Sequence, residues 1–96
     1  MYVRAVRFTD VGAERIDALR TRIESAGGPP PGVRSTALKV LFDESQGTAV
    51  VLQYFETEED MIEGAKVFAA MDAGETPGVR ASVDHCRVTI DVSASS

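Results

Sequence analysis

The only histidine and the only cysteine of the chain are neighbours, His85 and Cys86, in the segment SVDHCRVTIDV. A thiolate and an imidazole within hydrogen-bond reach form the nucleophile and the base of some enzymes. This segment has the pattern of a β-strand, and adjacent side chains of a strand point to opposite faces. We therefore expect that His85 and Cys86 do not meet, and that Cys86 behaves as a small apolar residue.

His85 and Arg87 share one face of this predicted strand. In one interpretation, His85 is a partly exposed residue of an edge strand and has no role in binding. The other is a group in the wall of a pocket that binds a ligand and accepts a proton near neutral pH. A single histidine without a second ligand or a neighbouring carboxylate pattern gives no metal site, so no metal is predicted.

Three further polar residues lie at interior positions of predicted strands. Arg4 stands between Val3 and Ala5, and Lys39 between Leu38 and Val40. We expect both to reach solvent or to pair across strands rather than to bind an anion. Gln53 falls on a predicted central strand, where a buried amide needs partners. Those partners lie either in a subunit interface or on a ligand.

The elements that must position these residues follow from apolar periodicity. Four predicted strands contain MYVRAVRF, RSTALKVLFD, TAVVLQYF and VRASVDHCRVTIDV. The stretch TDVGAERIDALRTRIESAGGPPPG contains an amphipathic helix whose apolar residues are Ile16, Leu19, Ile23 and Ala26. Gly27 and Gly28 end this helix, and GGPPPG is a rigid loop. Thr57 is the predicted N-cap of a second helix, whose acidic start favours the helix dipole, and Gly74 and Pro77 are predicted to end it. Its predicted buried stripe is Ile62, Ala65, Phe68 and Ala69, with Met61 and Met71 at the edges.

The order β-α-β-β-α-β predicts an α+β fold of the ferredoxin-like type. Right-handed crossovers then give a four-stranded antiparallel sheet in the order 4-1-3-2, with both helices on one face. We assign residues 1–92 to this single domain and expect residues 93–96 to be a frayed tail. Its length suits one modest core.

The predicted inner strands are apolar on both faces. On the predicted third strand, Val50, Leu52 and Tyr54 lie on one face, and Ala49, Val51 and Phe55 lie on the other. A sheet face without helices must then be covered by something else. The simplest cover is a second copy related by a two-fold axis, so we expect a homodimer through the helix-free sheet face.

The stretch GTAVVLQYFETEEDMIEGAKVF resembles the antibiotic-biosynthesis-monooxygenase-like families of the dimeric α/β barrel superfamily. The matching features are a glycine after the turn, an apolar third strand, an aromatic residue at its end and an acidic helix start. Gly47, Phe55, Glu56, Thr57 and Glu58 carry them. The resemblance implies a dimeric barrel with a pocket between the sheet and the helices of each subunit.

Members of these families include oxygenases that need no cofactor and enzymes that degrade haem. The resemblance implies no cofactor here. Some oxygenases have Trp where this chain has Phe55, and Asn where it has Val51. The haem degraders need a histidine on the second helix, whereas the only histidine here, His85, lies in the last predicted strand. The residues that remain as candidate ligand contacts are Val51, Gln53, Phe55, Phe68, His85 and Arg87; catalytic residues are not assigned.

Charge and composition exclude several partners. The net charge is −5, and the ten basic residues form no cluster, which argues against nucleic acid and against an anionic membrane. A single cysteine cannot form an internal disulfide, so we expect a cytoplasmic protein.

Two hypotheses about function remain. One is a protein that binds a small, largely apolar molecule, with monooxygenase-like activity as its enzymatic form. The other is a non-catalytic dimer whose pocket is closed by Phe55, Phe68 and Met61.

Overall fold

Six elements follow one another in the order βαββαβ in a computed structural model that describes residues 1–70 and 76–94. The strands are β1 (Tyr2–Thr9), β2 (Ala37–Asp43), β3 (Thr48–Phe55) and β4 (Val79–Arg87), and the helices are α1 (Ala13–Ala26) and α2 (Glu58–Ala69). Met71 and Gly74, the predicted edge and end of the second helix, lie outside the described residues. None of the described helices is long and apolar enough to cross a bilayer.

The sheet confirms the predicted topology. Its strand order is β2-β3-β1-β4, which is 4-1-3-2 counted from the other edge, and all three neighbouring pairs are antiparallel. β1 and β3 are therefore the central strands, and each finds hydrogen-bond partners on both sides. The fold is ferredoxin-like, as the order of elements predicts.

The turn between β2 and β3 is held by the carboxylate of Asp43. Ser45 Oγ donates to its Oδ1 at 2.8 Å, and Gln46 Nε2 donates to its Oδ2 at 2.7 Å. Gly47 completes the turn with φ 66°, a left-handed conformation that costs glycine little. The segment DESQG thus fixes the register of the hairpin.

Helix α2 begins as the sequence predicts but is rotated relative to the predicted stripe. Thr57 accepts a hydrogen bond from the backbone N of Asp60 at 3.1 Å, which confirms the N-cap. The prediction that Ile62 lies in the buried stripe is wrong: 44% of it is exposed, whereas Met61 and Gly64 are buried. Gly64, which has no side chain, lets the helix approach the ring of Phe55 closely, and this contact sets the rotation.

Two apolar clusters form the core. The first is centred on Val6, Phe8 and Ala49 and includes Ile16 of α1. The second joins Phe55 and Met61 to Val33 of the loop before β2. Each helix is thus tied to the sheet by its own cluster.

Strand β4 ends five residues earlier than the sequence predicts. The ladder between β4 and β1 ends at the pair of Arg87 and Tyr2, and Val88 N makes one further bond, to Met1 O at 3.0 Å. Residues 88–94 consequently have no regular structure, and Ile90 and Val92 are 82% and 84% exposed. An apolar alternating pattern cannot form a strand without a neighbour to accept its hydrogen bonds.

Candidate functional site

A cavity of about 560 Å³ lies between the sheet and helix α1, and we call it the main cavity. Its floor is the helix-facing side of β1, β2 and β3, and its walls are α1 and the proline loop after it. The apolar lining comprises Val6, Phe8, Leu19, Ile23, Ala26, Pro29, Pro30, Pro31, Ala37, Leu38, Val40, Val51, Phe68 and Pro77. The space is large enough for a small organic molecule and is mostly apolar.

A row of polar side chains crosses the helix-facing side of the sheet. Arg4 of β1 lies directly opposite Gln53 of β3 on one side and His85 of β4 on the other. Directly paired residues of antiparallel strands project from the same face. The three side chains therefore share the face that carries the helices.

Arg4 is the centre of this row and is only 3% exposed. Its Nη1 donates to Gln53 Oε1 at 3.0 Å, and its guanidinium carbon lies 5.3 Å from the centre of the Phe68 ring. The ring face attracts the cation. Arg4 Nε is buried and has no hydrogen-bond partner among the described residues.

Among the residues that the structure describes, no acidic side chain forms an ion pair with this buried cation. Burial, and then the charge of Arg80, lower the pKa of Arg4 below its ordinary value, but a guanidinium stays protonated in proteins. Within residues 1–70 and 76–94, the ion pairs formed by acidic groups go to Arg20, Arg34 and Lys66 instead. A buried charge without a counter-ion is costly unless a bound group supplies one.

A second, more open space of about 460 Å³ lies between α2 and β4, and we call it the groove. Its lining includes Arg4, Lys66, Arg80 and His85 beside the apolar Ile62, Ala65, Ala69 and Val83. Arg4 and Arg80 line both the groove and the main cavity. The two arginines therefore stand where the two spaces adjoin.

The candidate residues from the sequence fall in three places. Val51, Gln53 and Phe68 line the main cavity, and His85 lines the groove. Phe55 is fully buried in the core under α2 and does not line either space. Arg87 is exposed at the end of β4 and lines neither.

Cys86 lies on the face opposite His85, as expected from their adjacent positions. It pairs with Val3, whereas His85 pairs with Arg4. Cys86 is exposed, so its expected role as a packed apolar residue does not hold within one subunit. Among residues 1–70 and 76–94, no group of three His, Cys, Asp or Glu side chains could hold a metal ion.

Sequence reasoning did not place Arg4 or Arg80 in a ligand site. It did expect Arg4 to pair across strands, which the bond to Gln53 confirms. The signal that could have found the site is a charged residue in the middle of a central strand, at the same position along the sheet as Gln53. Only the strand register shows that the two coincide.

No family model matches the chain, and no curated protein sequence matches it. Among solved structures, the chain is similar to a mutant of MhuD crystallised with two manganese protoporphyrin IX molecules bound per active site. The TM-score is 0.57 and the identity is 16%, and the alignment covers 96% of this chain and 99% of the MhuD chain. At this identity the similarity establishes the shared fold, along nearly the whole of both chains.

Proposed function

We propose that this protein binds a small, largely apolar organic molecule in the main cavity. The observation that carries the proposal is the apolar space of about 560 Å³ between sheet and α1, which the side chains do not fill. In the non-catalytic alternative Phe55, Phe68 and Met61 close the pocket. Phe55 and Met61 pack with Val33 in the core instead, and Phe68 lines the main cavity. Membership of the antibiotic-biosynthesis-monooxygenase-like group is part of this proposal, supported by the shared fold.

A metalloporphyrin, as in the MhuD crystal, is not the ligand that the lining favours. Haem iron is held by an axial His, Cys, Met or Tyr side chain. Among the described residues that line the main cavity, none is of these types, and His85 lies in the groove on the other side of Arg4. We therefore propose a metal-free organic ligand.

Binding of a neutral fluorescent probe tests the proposal. We expect anthracene-2-carboxamide to bind the wild type, and Val51→Trp to weaken binding about tenfold or more, because the indole fills the space above β3. Ile90→Trp is the matched control, since Ile90 is 82% exposed outside the sheet. No binding to the wild type, or equal binding to both variants, would contradict a ligand in this cavity.

Cofactor-independent oxidation is a second candidate function, favoured by the buried Arg4. A cation in an apolar space stabilises the anionic form of a phenol or an enol, which gives up electrons to oxygen more readily than the neutral form. Anthrone is a suitable probe. Two C–H bonds of its CH₂ group break, one oxygen atom of O₂ becomes the new carbonyl, and the other leaves as water with both hydrogens.

An oxygen electrode separates this candidate from binding alone. We expect protein-dependent oxygen uptake with anthrone, and a loss of about tenfold or more in Arg4→Met. Uptake no faster than in buffer would exclude oxidation of this substrate class and leave the binding function.

The helix-free sheet face supports a homodimer as the assembled form. This face, opposite the one that carries the helices, presents Val3, Ala5, Leu41, Val50, Leu52 and Tyr54. Leu41 is 50% exposed in a single subunit. We propose that a second copy covers this face by a two-fold axis, which buries the apolar side chains of both sheets at once.

A further inference from the structure

The buried guanidinium of Arg4 is incompletely satisfied. Of its donors, Nη1 bonds the neutral amide of Gln53, and the ring of Phe68 faces the cation at 5.3 Å. Nε, which is also buried, has no partner among the described residues. A neutral amide and a ring compensate a buried positive charge only in part, so the site lacks both an acceptor and a negative charge.

Arg80 adds a second positive charge at the same place. It is exposed on β4, opposite Phe8, and it lines the main cavity together with Arg4. Within the described part of the chain, no carboxylate pairs with either arginine. In a protein of net charge −5, two unpaired arginines beside an apolar cavity are a local region of positive potential.

We propose that the ligand is an organic acid whose carboxylate binds between Arg4 and Arg80, with its apolar body in the main cavity. This inference rests on the proposed function, which it narrows to one substrate class. The carboxylate supplies the negative charge that neither arginine finds among the described residues, and hydrogen bonds between a guanidinium and a carboxylate are strong because both groups are charged.

The position of the two arginines determines how the ligand lies. Both line the edge where the main cavity adjoins the groove, whereas the apolar lining extends away from them along β1, β2 and α1. A molecule with its charge at one end fits this arrangement, and one with its charge in the middle does not. The expected ligand is therefore a terminal carboxylic acid on a flat or extended hydrocarbon.

The test compares two probes that differ only in charge. Anthracene-2-carboxylate and anthracene-2-carboxamide have the same ring system, and both are fluorescent. We expect the carboxylate to bind the wild type about tenfold or more tightly than the carboxamide, and the preference to shrink as salt is raised. Arg4→Met and Arg80→Met should each reduce this preference.

Two further variants control the experiment. Arg20→Met removes an exposed arginine of α1 that pairs with Asp17, and it should leave the preference unchanged. Arg4→Lys keeps a charge in the buried position and should retain part of the preference. Because Arg80 is exposed, Arg80→Met keeps the test informative even if Arg4→Met fails to fold.

The outcomes distinguish this inference from the function on which it rests. Binding of both probes with equal affinity overturns the anion site and leaves the apolar binding function intact. Binding of neither probe overturns both. A carboxylate preference that persists in Arg4→Met and in Arg80→Met also overturns the assignment of these two residues.

Discussion

Arg4 and Gln53 lie directly opposite each other on the two central strands, and Arg4 Nη1 donates to Gln53 Oε1 at 3.0 Å. Both side chains are buried, at 3% and 5% exposure. A hydrogen bond to a charged group contributes more than one between neutral groups, and removing one partner leaves the other buried and unsatisfied. The hydrogen bond between Arg4 and Gln53 therefore stabilises the sheet and also holds the buried cation of the candidate site in place.

Gln53→Leu should lower the free energy of unfolding by about 2 kcal/mol, because Arg4 loses its acceptor while it stays buried. The double variant Arg4→Met with Gln53→Leu should recover most of this loss, since two apolar side chains need no partners. Urea unfolding of the two single variants and the double variant measures the coupling. Simple addition of the single losses would mean that the pair does not interact.

Gly64→Ala should destabilise the protein by about 1–2 kcal/mol despite the better helix propensity of alanine. A Cβ at this position would lie 2.9 Å from Cε1 and 3.0 Å from Cζ of Phe55, a ring that is fully buried and cannot move aside. Gly28→Ala is the matched control, because a Cβ there meets nothing within 4 Å. Thermal unfolding of both variants checks the difference; a Gly64→Ala protein as stable as the wild type would mean that α2 can shift at little cost.

The carboxyl group of Asp43 should titrate below its ordinary value. Hydrogen bonds from the side chains of Gln46 and Ser45 hold its pKa below 3.8. The pKa of Asp43 is lower in the folded protein than in the unfolded chain. The hydrogen bonds to its carboxylate therefore stabilise the fold fully at a pH above the unfolded pKa, and this stabilisation is lost as the pH falls through the folded pKa. An NMR titration of the Asp43 side chain checks this, and Gln46→Ala should move the pKa back toward 3.8 by removing the first of these donors. An unchanged pKa of Asp43 in Gln46→Ala would show that the Gln46 side chain does not lower it.

His85→Ala should leave the free energy of unfolding within about 1 kcal/mol of the wild type, because His85 is an exposed residue of an edge strand. Val6→Ala on the neighbouring strand is the contrast: Val6 is 1% exposed, and its loss should cost about 2 kcal/mol by leaving a cavity. Urea unfolding compares the two. A large loss for His85→Ala would indicate that a partner subunit or a ligand buries this side chain.

Leu52→Glu should convert the proposed homodimer into a monomer. Leu52 projects from the helix-free face of a central strand, where a carboxylate would be buried against the second copy. Ile90→Glu introduces the same charge at a position 82% exposed and should leave the assembly unchanged. Sedimentation equilibrium gives the masses; a wild type that is monomeric at micromolar concentration would remove the dimer from the proposal.

The sequence by itself determined the order and type of the elements, since apolar period, caps and turns are local properties. Thr57, Gly27 and the Asp43 turn could all be identified in this way, and together with the crossover rule they predicted the strand order. The opposite faces of His85 and Cys86 follow from the geometry of one strand alone.

Tertiary structure decided the features that depend on neighbours distant in sequence. The rotation of α2 depends on the fit of Gly64 against Phe55, and β4 ends where its pairing with β1 stops. The candidate site depends on register: residues 4 and 53 are 49 positions apart, and only strand pairing places a buried cation beside an amide at the edge of an apolar cavity. Periodicity shows that a residue is interior, but only the assembled sheet shows what it faces.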